Sequence, residues 1–250
     1  MKNELPKPIR ENIYGPGDDD YGRDKWKEEN FRKSMMPNIE LIHDDCMNVM
    51  AKYPDKYFEL AICDPPYGIG QYWMKSKRTN NYGHHSWNDN SPGEDYFHEL
   101  FRVSKNQIIW GANYFCHYLP MSNSWLIWDK NRNSDKTFMS EAELAWTSLN
   151  IVMKIIKITW NGFNKAGTHS NIPANKNIHP CQRPVQLYMW QLQRFAKPAF
   201  KLLDTHLGSG SSAIAAYDFG CDFVGCEIDK KYFEAAKKRF ETHKMQQVLF

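Results

Sequence analysis

From Phe200 onward the chain alternates strand, glycine-rich turn, helix, strand and helix, and this alternation restricts it to an α/β fold. Phe200–Asp204 reads as a buried strand, Ser211–Phe219 as a helix, Asp222–Glu227 as the next strand, and Lys231 to about Thr242 as an amphipathic helix. A helix between two strands carries the chain back across the sheet, so the strands run parallel and the crossover is right-handed. Further apolar, β-prone runs stand at Ile39–His43, Phe58–Cys63, Gln107–Gly111, Ser124–Asp129, Glu143–Thr147 and Ile151–Ile158. Helical patterns run through Val49-Met50, through Tyr96 to Phe101, and from Pro184 to about Ala196. The expectation is a Rossmann-like, doubly wound, mostly parallel sheet.

The 250 residues suit one sizeable domain, and 42% hydrophobic residues suffice for its core. Residues 1–37 are polar, rich in Pro, Gly, Asp and Lys, and aperiodic, which predicts a flexible or partly ordered arm before a single domain at 38–250. Six cysteines lie scattered, none in a CxxC pair, so neither a disulfide framework nor a zinc site is indicated and a reduced, cytoplasmic setting fits. His84 and His85 have no matching ligands, so no metal is expected. No run approaches the ~20 apolar residues of a membrane span. The net charge of +3 is small, but residues 144–203 contain no acid while carrying Lys154, Lys157, Lys165, Lys176, Arg183, Arg194, Lys197 and Lys201. That stretch reads as a phosphate-facing surface.

Two turns carry the chemistry. In the first, Asp204-Thr205-His206-Leu207-Gly208-Ser209-Gly210-Ser211 joins a buried strand to a helix. Glycines let a ligand approach the backbone, and the helix start offers free N–H groups. Glu227 stands 19 residues past Gly208 at the end of the next strand, where an acid accepts ribose hydroxyls in nucleoside-binding sheets. A dinucleotide signature would need glycine at Ala213, and Asp204 fits poorly beside a pyrophosphate. Asp204 suits a cationic group instead, which makes S-adenosylmethionine the economical ligand.

The second turn is Asp64-Pro65-Pro66-Tyr67, at the end of the Phe58–Cys63 run. Each proline fixes its φ and lacks an N–H, giving a rigid lip. Asp64 and the Pro65 carbonyl can accept the two hydrogens of an exocyclic amino group, and Tyr67 can stack on the heterocycle that bears it. Taken alone, the tetrapeptide is equally compatible with a capped, proline-rich turn.

Together these turns resemble the S-adenosylmethionine-dependent DNA amino-methyltransferases of the β arrangement, in which the DPPY motif precedes the cofactor motif. The resemblance spans about residues 39–242 and implies a circularly permuted methyltransferase sheet, with Ile39–His43 beside Asp222–Glu227. It makes Asp64, Pro65, Pro66 and Tyr67 catalytic, with Asp64 a cofactor residue as well. Asp204, Thr205, His206, Gly208, Ser209, Gly210, Ser211, Glu227 and Ile228 become cofactor residues, with Thr205-His206 replacing the usual Pro-Phe. His179-Pro180-Cys181-Gln182-Arg183-Pro184 resembles the family's H-P-T-Q-K-P element, placing Pro180, Gln182 and Arg183 near the cofactor's methionine end. Asp44-Asp45-Cys46 resembles the G-D-C turn, placing Asp45 and Cys46 near its adenine. Trp110–Phe115 and Trp128-Asp129-Lys130 look like segments of phage-type members.

The implied substrate is a flipped adenine in double-stranded DNA, methylated at N6, with cytosine N4 and a catalytically silent DNA-binding module as the alternatives. A homodimer is compatible with the resemblance. The polar stretches 71–92 and 161–178 are the expected DNA loops, with Lys75, Lys77, Arg78 and Lys165 meeting phosphate.

Overall fold

The computed structural model describes residues 36–69, 89–131, 140–161, 164–165 and 178–248. All but Met36 lie in one compact unit, Pro37–Phe250. Residues 1–35 of the expected N-terminal arm, Lys75, Lys77, Arg78, His84-His85 and Lys176 fall outside the described residues, as does the Lys165 side chain.

The elements in chain order are β1 (Ile39–His43), α1 (Cys46–Met50), β2 (Phe58–Cys63), α2 (Glu94–Val103), β3 (Ser104–Trp110), β4 (Trp125–Asp129), β5 (Ala142–Thr147) and β6 (Lys154–Lys157). They continue with β7 (Trp160–Asn161), β8 (Asn164–Lys165), α3 (Val185–Phe195), β9 (Lys201–Asp204), α4 (Ser211–Phe219), β10 (Asp222–Glu227) and α5 (Lys230–Val248). Eight strands form one sheet in the order β1-β10-β9-β2-β3-β5-β4-β6. The neighbours are parallel except where β5 enters antiparallel between β3 and β4. β1 pairs with β10 in register Ile39↔Phe223 to His43↔Glu227, so the first and last strands of the sheet's chain order are adjacent, as the permuted arrangement requires.

Burial follows from the sequence. β2 reads Phe-Glu-Leu-Ala-Ile-Cys with only Glu59 not buried, the pattern of a strand covered on both faces. One face packs Leu187 and Leu192 of α3, Ala213 and Ala216 of α4, and Ala236 and Phe240 of α5. The other face packs Val49 and Met50 of α1 with Phe97, Leu100 and Val103 of α2. Each such large side chain contributes roughly 1.5–3 kcal/mol by leaving water. α4 begins and ends within its expected bounds because Gly220 follows with φ +84, a left-handed stop.

Several boundaries differ from expectation, among them the start of β3 at Ser104 rather than Gln107. β6 begins at Lys154 rather than Ile151, because the Ile151 N–H is taken by Leu149 O (3.0 Å) and Ser124 Oγ (3.1 Å) in a turn. The 161–178 loop starts within a two-residue hairpin, β7 with β8. α5 continues past Thr242 to Val248, since His-Lys-Met-Gln-Gln contains no breaker and mostly good helix formers. Among the described residues no helix is long and apolar enough to cross a membrane.

Candidate active site

β9 and β2 are adjacent and parallel, with Leu203 opposite Ala61. The chain leaves β9 toward β10 on one side and β2 toward β3 on the other, so a crevice opens at their carboxyl ends, the switch point of an open α/β sheet. Asp64 leaves β2 there, and Asp204-Thr205-His206 leaves β9. Both chemical turns read from the sequence therefore meet at one edge.

The Asp64 carboxylate is gripped by the Arg183 fork. Arg183 Nε donates to Oδ2 (2.6 Å) and Nη2 to Oδ1 (2.5 Å). The Tyr67 hydroxyl donates to Oδ1 (2.7 Å) and accepts from Arg183 Nη2 (2.5 Å). Burial works against the Arg183 charge, yet Asp64 and Glu143 on either side outweigh it and hold the guanidinium protonated. For Tyr67, burial pushes the phenol well above its ordinary range, so it remains a hydrogen-bond donor. Its ring lies parallel to Tyr114 (centroids 4.9 Å, planes 13° apart). Tyr67 thus has one aromatic neighbour already stacked on it, and half-exposed Tyr114 is the outer plate of the pair. Gly111 makes the close approach possible: a Cβ there would stand 2.0 Å from the Tyr67 ring, and its φ is +70.

On the other side, Asp204 is 1% exposed and accepts from the His206 N–H (3.0 Å) and the Ser212 hydroxyl (2.6 Å). Burial raises its carboxyl to about 7 despite those two donors. His206 is lowered to about 4 by burial, so at neutral pH it is an uncharged ring. That explains how histidine can stand where the resemblance expects phenylalanine: it adds an aromatic surface, edge-on to Tyr96 at 5.5 Å, without a cation. Thr205 Oγ1 links Tyr96 OH (2.7 Å) to His206 Nδ1 (2.9 Å).

Glu227 accepts from the N–H groups of Gly208 (2.9 Å) and Asp229 (3.0 Å), tying the glycine loop to the end of β10. Burial raises its carboxyl, and those two N–H groups oppose the rise. Gly208 has φ +54 and lies under the His179 ring. A small cavity of about 80 Å³ is lined by Asp44, Asp45, Cys46, Thr205, His206, Glu227 and Ile228. Asp45 caps α1 by accepting from the Met47 N–H (2.7 Å), and burial with the Asp45 charge pushes the Cys46 thiol up to about 12, so it is not a nucleophile. Ile228 is exposed beside the cavity and offers an apolar edge.

The segment 179–184 joins the two halves. Ser211 Oγ donates to the Arg183 carbonyl (2.8 Å), while the same residue's guanidinium holds Asp64. Gln182 Oε1 accepts from the Ile178 N–H (3.1 Å), and Pro180 lies half-buried beside it. Ser209 and Ser211 point inward: Arg239 donates to Ser209 O (2.8 Å) and Ser211 Oγ (2.9 Å).

Two expectations change in the folded chain. Arg183 is buried and spent on carboxylates, so it is not part of a phosphate-facing surface. Lys201 opens β9, at the edge opposite Asp204, with its ammonium over Tyr57 (4.3 Å), so the acid-free stretch does not form one continuous basic face. Reading by motif also passed over Glu143, Tyr96 and Arg239. Tyr96 and Arg239 act through residues remote in sequence and carry no local signal. Glu143 alone had one: it is the last acid before the basic stretch, inside an apolar strand.

Comparison with known proteins agrees with this geometry. Residues 117–238 match the model of the N6/N4 methyltransferase family, described as DNA methylase. The matched span holds the 179–184 segment, the glycine loop and Glu227; Asp64–Tyr67 precede it. The chain is 22% identical over 210 residues to the protein named "Putative methylase YubD" of Escherichia coli (strain K12), covering 79% of this chain and 88% of that one. Among solved structures, it superposes on the PvuII DNA methyltransferase (cytosine-N4-specific) with TM-score 0.57 and 12% identity, covering 84% of this chain and 91% of that one. It also superposes on M1.HpyAVI in complex with SAM, with TM-score 0.50 and 19% identity, covering 80% and 99%. The fold is that of the S-adenosylmethionine-dependent DNA methyltransferases.

Proposed function

We propose that this protein transfers the methyl group of S-adenosylmethionine to an exocyclic amino nitrogen in DNA, N6 of a flipped adenine. One observation carries the reading: Asp64 on its proline-braced lip and the Asp204–Ser211 loop stand at the ends of adjacent strands, coupled through Arg183. The DNA methylase family match supports the DNA substrate class, and the YubD match supports methyl transfer.

The residues fit the methyl donor. Asp204 is a buried carboxylate whose partners, the His206 N–H and the Ser212 hydroxyl, are neutral, which suits an ammonium group. Glu227 suits ribose hydroxyls, and the cavity between Asp45, Cys46 and Ile228 suits the edge of a purine. Bound there, S-adenosylmethionine supplies an electrophilic methyl on a sulfonium.

The chain's own residues do the rest. Adenine's amino nitrogen is a poor nucleophile because its lone pair is delocalised into the ring, and in a duplex it is paired and stacked. Extruding the base costs a few kcal/mol, partly recovered on the Tyr67–Tyr114 plate at ~1–3 kcal/mol per stacked base. Asp64 Oδ2 and the Pro65 carbonyl accept the two amino hydrogens, favouring a pyramidal nitrogen with its lone pair directed outward. The carboxylate then stabilises positive charge as it develops on nitrogen and is the nearest acceptor for the departing proton. No covalent enzyme intermediate is needed. The aspartate at the first motif position supports adenine over cytosine.

The test is transfer of labelled methyl from S-adenosylmethionine to DNA. Wild type should label DNA, and Asp64→Ala should not, while binding the cofactor with affinity within about threefold. Labelling by Asp64→Ala at the wild-type rate would remove Asp64 from the mechanism.

A further inference from the structure

The charges around Asp64 extend well beyond it. Lys130 Nζ pairs with Glu143 Oε1, Glu143 Oε2 lies 2.7 Å from Arg183 Nη2, and Arg183 closes on both oxygens of Asp64. Four side chains of alternating sign form a single file with no net charge, from the end of β4 through β5 and the 179–184 segment to the end of β2. Their side chains are 10%, 23%, 5% and 15% exposed in that order, so none is an ordinary surface ion. Two tryptophans lie against the cations: the Arg183 guanidinium is 4.9 Å from the Trp110 ring and 5.8 Å from Trp128, and Lys130 is 5.3 Å from Trp128.

A buried file of this kind is a poor device for stability, since apolar side chains of similar volume commonly serve as well. It is a good device for direction. The planar Arg183 fork holds both carboxylate oxygens at once. Tyr67 and Arg183 Nη2 both donate to Oδ1, whereas Oδ2 receives Nε alone. The lone pair left to a substrate is therefore on Oδ2, and where it points depends on where Arg183 is held. Glu143 sets that position from strand β5, with Lys130 balancing its charge.

We propose that Glu143 and Lys130 are positioning residues for methyl transfer, holding the Arg183 fork so that Asp64 presents Oδ2 to the amino nitrogen. The inference rests on the amino-methyltransferase reading of this site. It also gives a task to Trp110 and Trp128-Asp129-Lys130, segments that the cofactor and substrate assignments leave unused.

The experiment compares full-length wild type, Glu143→Gln and the double variant Lys130→Met/Glu143→Gln. It measures kcat and KM for DNA methylation, the Kd for S-adenosylmethionine and the melting temperature. Glu143→Gln should lower kcat about 10- to 100-fold, the cost of a misplacement near 1 Å, with KM and Kd within about threefold. Its melting temperature should fall, because Lys130 and Arg183 then face each other without an anion between them. The double variant removes that repulsion: melting should recover while kcat stays low. A kcat that returns to wild type together with stability would mean a structural role only and would overturn the proposal, as would undiminished kcat in Glu143→Gln. If the single variant does not fold, the double variant decides on the same criterion. Absence of methyl transfer by wild type would instead overturn the function itself, and is seen before any variant is made.

Discussion

Replacing Asp204 with asparagine should stabilise the ligand-free protein while impairing cofactor binding. Asp204 is the most deeply buried acid of the crevice, and both of its hydrogen-bond donors, the His206 N–H and the Ser212 hydroxyl, are neutral. Its carboxyl lies at about 7 in the fold against 3.8 for a free side chain, with burial the largest cause. The folded protein thus holds a proton there that the unfolded chain gives up between about pH 4 and pH 7. Stability from this group is fully present below about pH 4 and is lost as pH rises through about 7. At ~1.4 kcal/mol per tenfold, the ionised carboxylate costs at most about 4 kcal/mol above pH 7.

Asparagine keeps the acceptor for His206 and can donate to a reoriented Ser212 hydroxyl, so most of that cost is recovered. With roughly 2–4 °C per kcal/mol for a chain of this size, Asp204→Asn should melt several degrees above wild type at pH 8. The gain should vanish by about pH 4. S-adenosylmethionine should bind the variant at least tenfold more weakly, because a charge-assisted hydrogen bond is worth ~1.5–3 kcal/mol. Thermal melts from pH 4 to 9, with and without the cofactor, read both effects. A variant melting below wild type at pH 8, or by a margin independent of pH, would refute the claim that the ionised carboxylate is poorly solvated.

Other outcomes follow from the same contacts. His206→Phe should bind S-adenosylmethionine within about threefold of wild type by calorimetry, because the imidazole is uncharged at neutral pH and serves as a ring; a tenfold loss would give it a polar role. Gly111→Ala would place a Cβ 2.0 Å from the Tyr67 ring at φ +70, so the tyrosine must move. The expected result is a loss of ~1–3 kcal/mol in denaturant unfolding and a fall in kcat larger than the change in cofactor Kd. Glu227→Gln should weaken cofactor binding and, by loosening the Gly208 N–H, lower melting modestly; unchanged affinity would remove it from the ribose site.

The parallel core and both turns were legible in the sequence for physical reasons. Strands buried on both faces write themselves as apolar runs, as Phe58–Cys63 does, and Gly208 and Gly220 mark turns that other residues adopt at a cost. A mostly parallel sheet puts Asp64 and Asp204 at the same edge, but the adjacency of β2 and β9 that makes the crevice was not legible in the sequence. What stayed hidden depends on side-chain reach across the sheet. Arg183 read as a cation of the acid-free stretch and as a neighbour of the cofactor's methionine end, and only the placement of β5 between β3 and β4 brings Glu143 to it. Local periodicity cannot report that antiparallel insertion. The Tyr114 ring on Tyr67 was hidden for the same reason, because it depends on the tight turn at Gly111 rather than on either tyrosine's neighbours in sequence.

Nucleoside mass spectrometry reads out whether Asp64 and the Pro65 carbonyl serve a nucleobase amino group. DNA lacking prior methylation is incubated with the protein and S-adenosylmethionine, digested to nucleosides and measured beside an Asp64→Ala control. Wild type should yield N6-methyldeoxyadenosine and the control none. N4-methyldeoxycytidine as the sole product would overturn the choice of base, and no methylated nucleoside at all would contradict that role for Asp64 and Pro65.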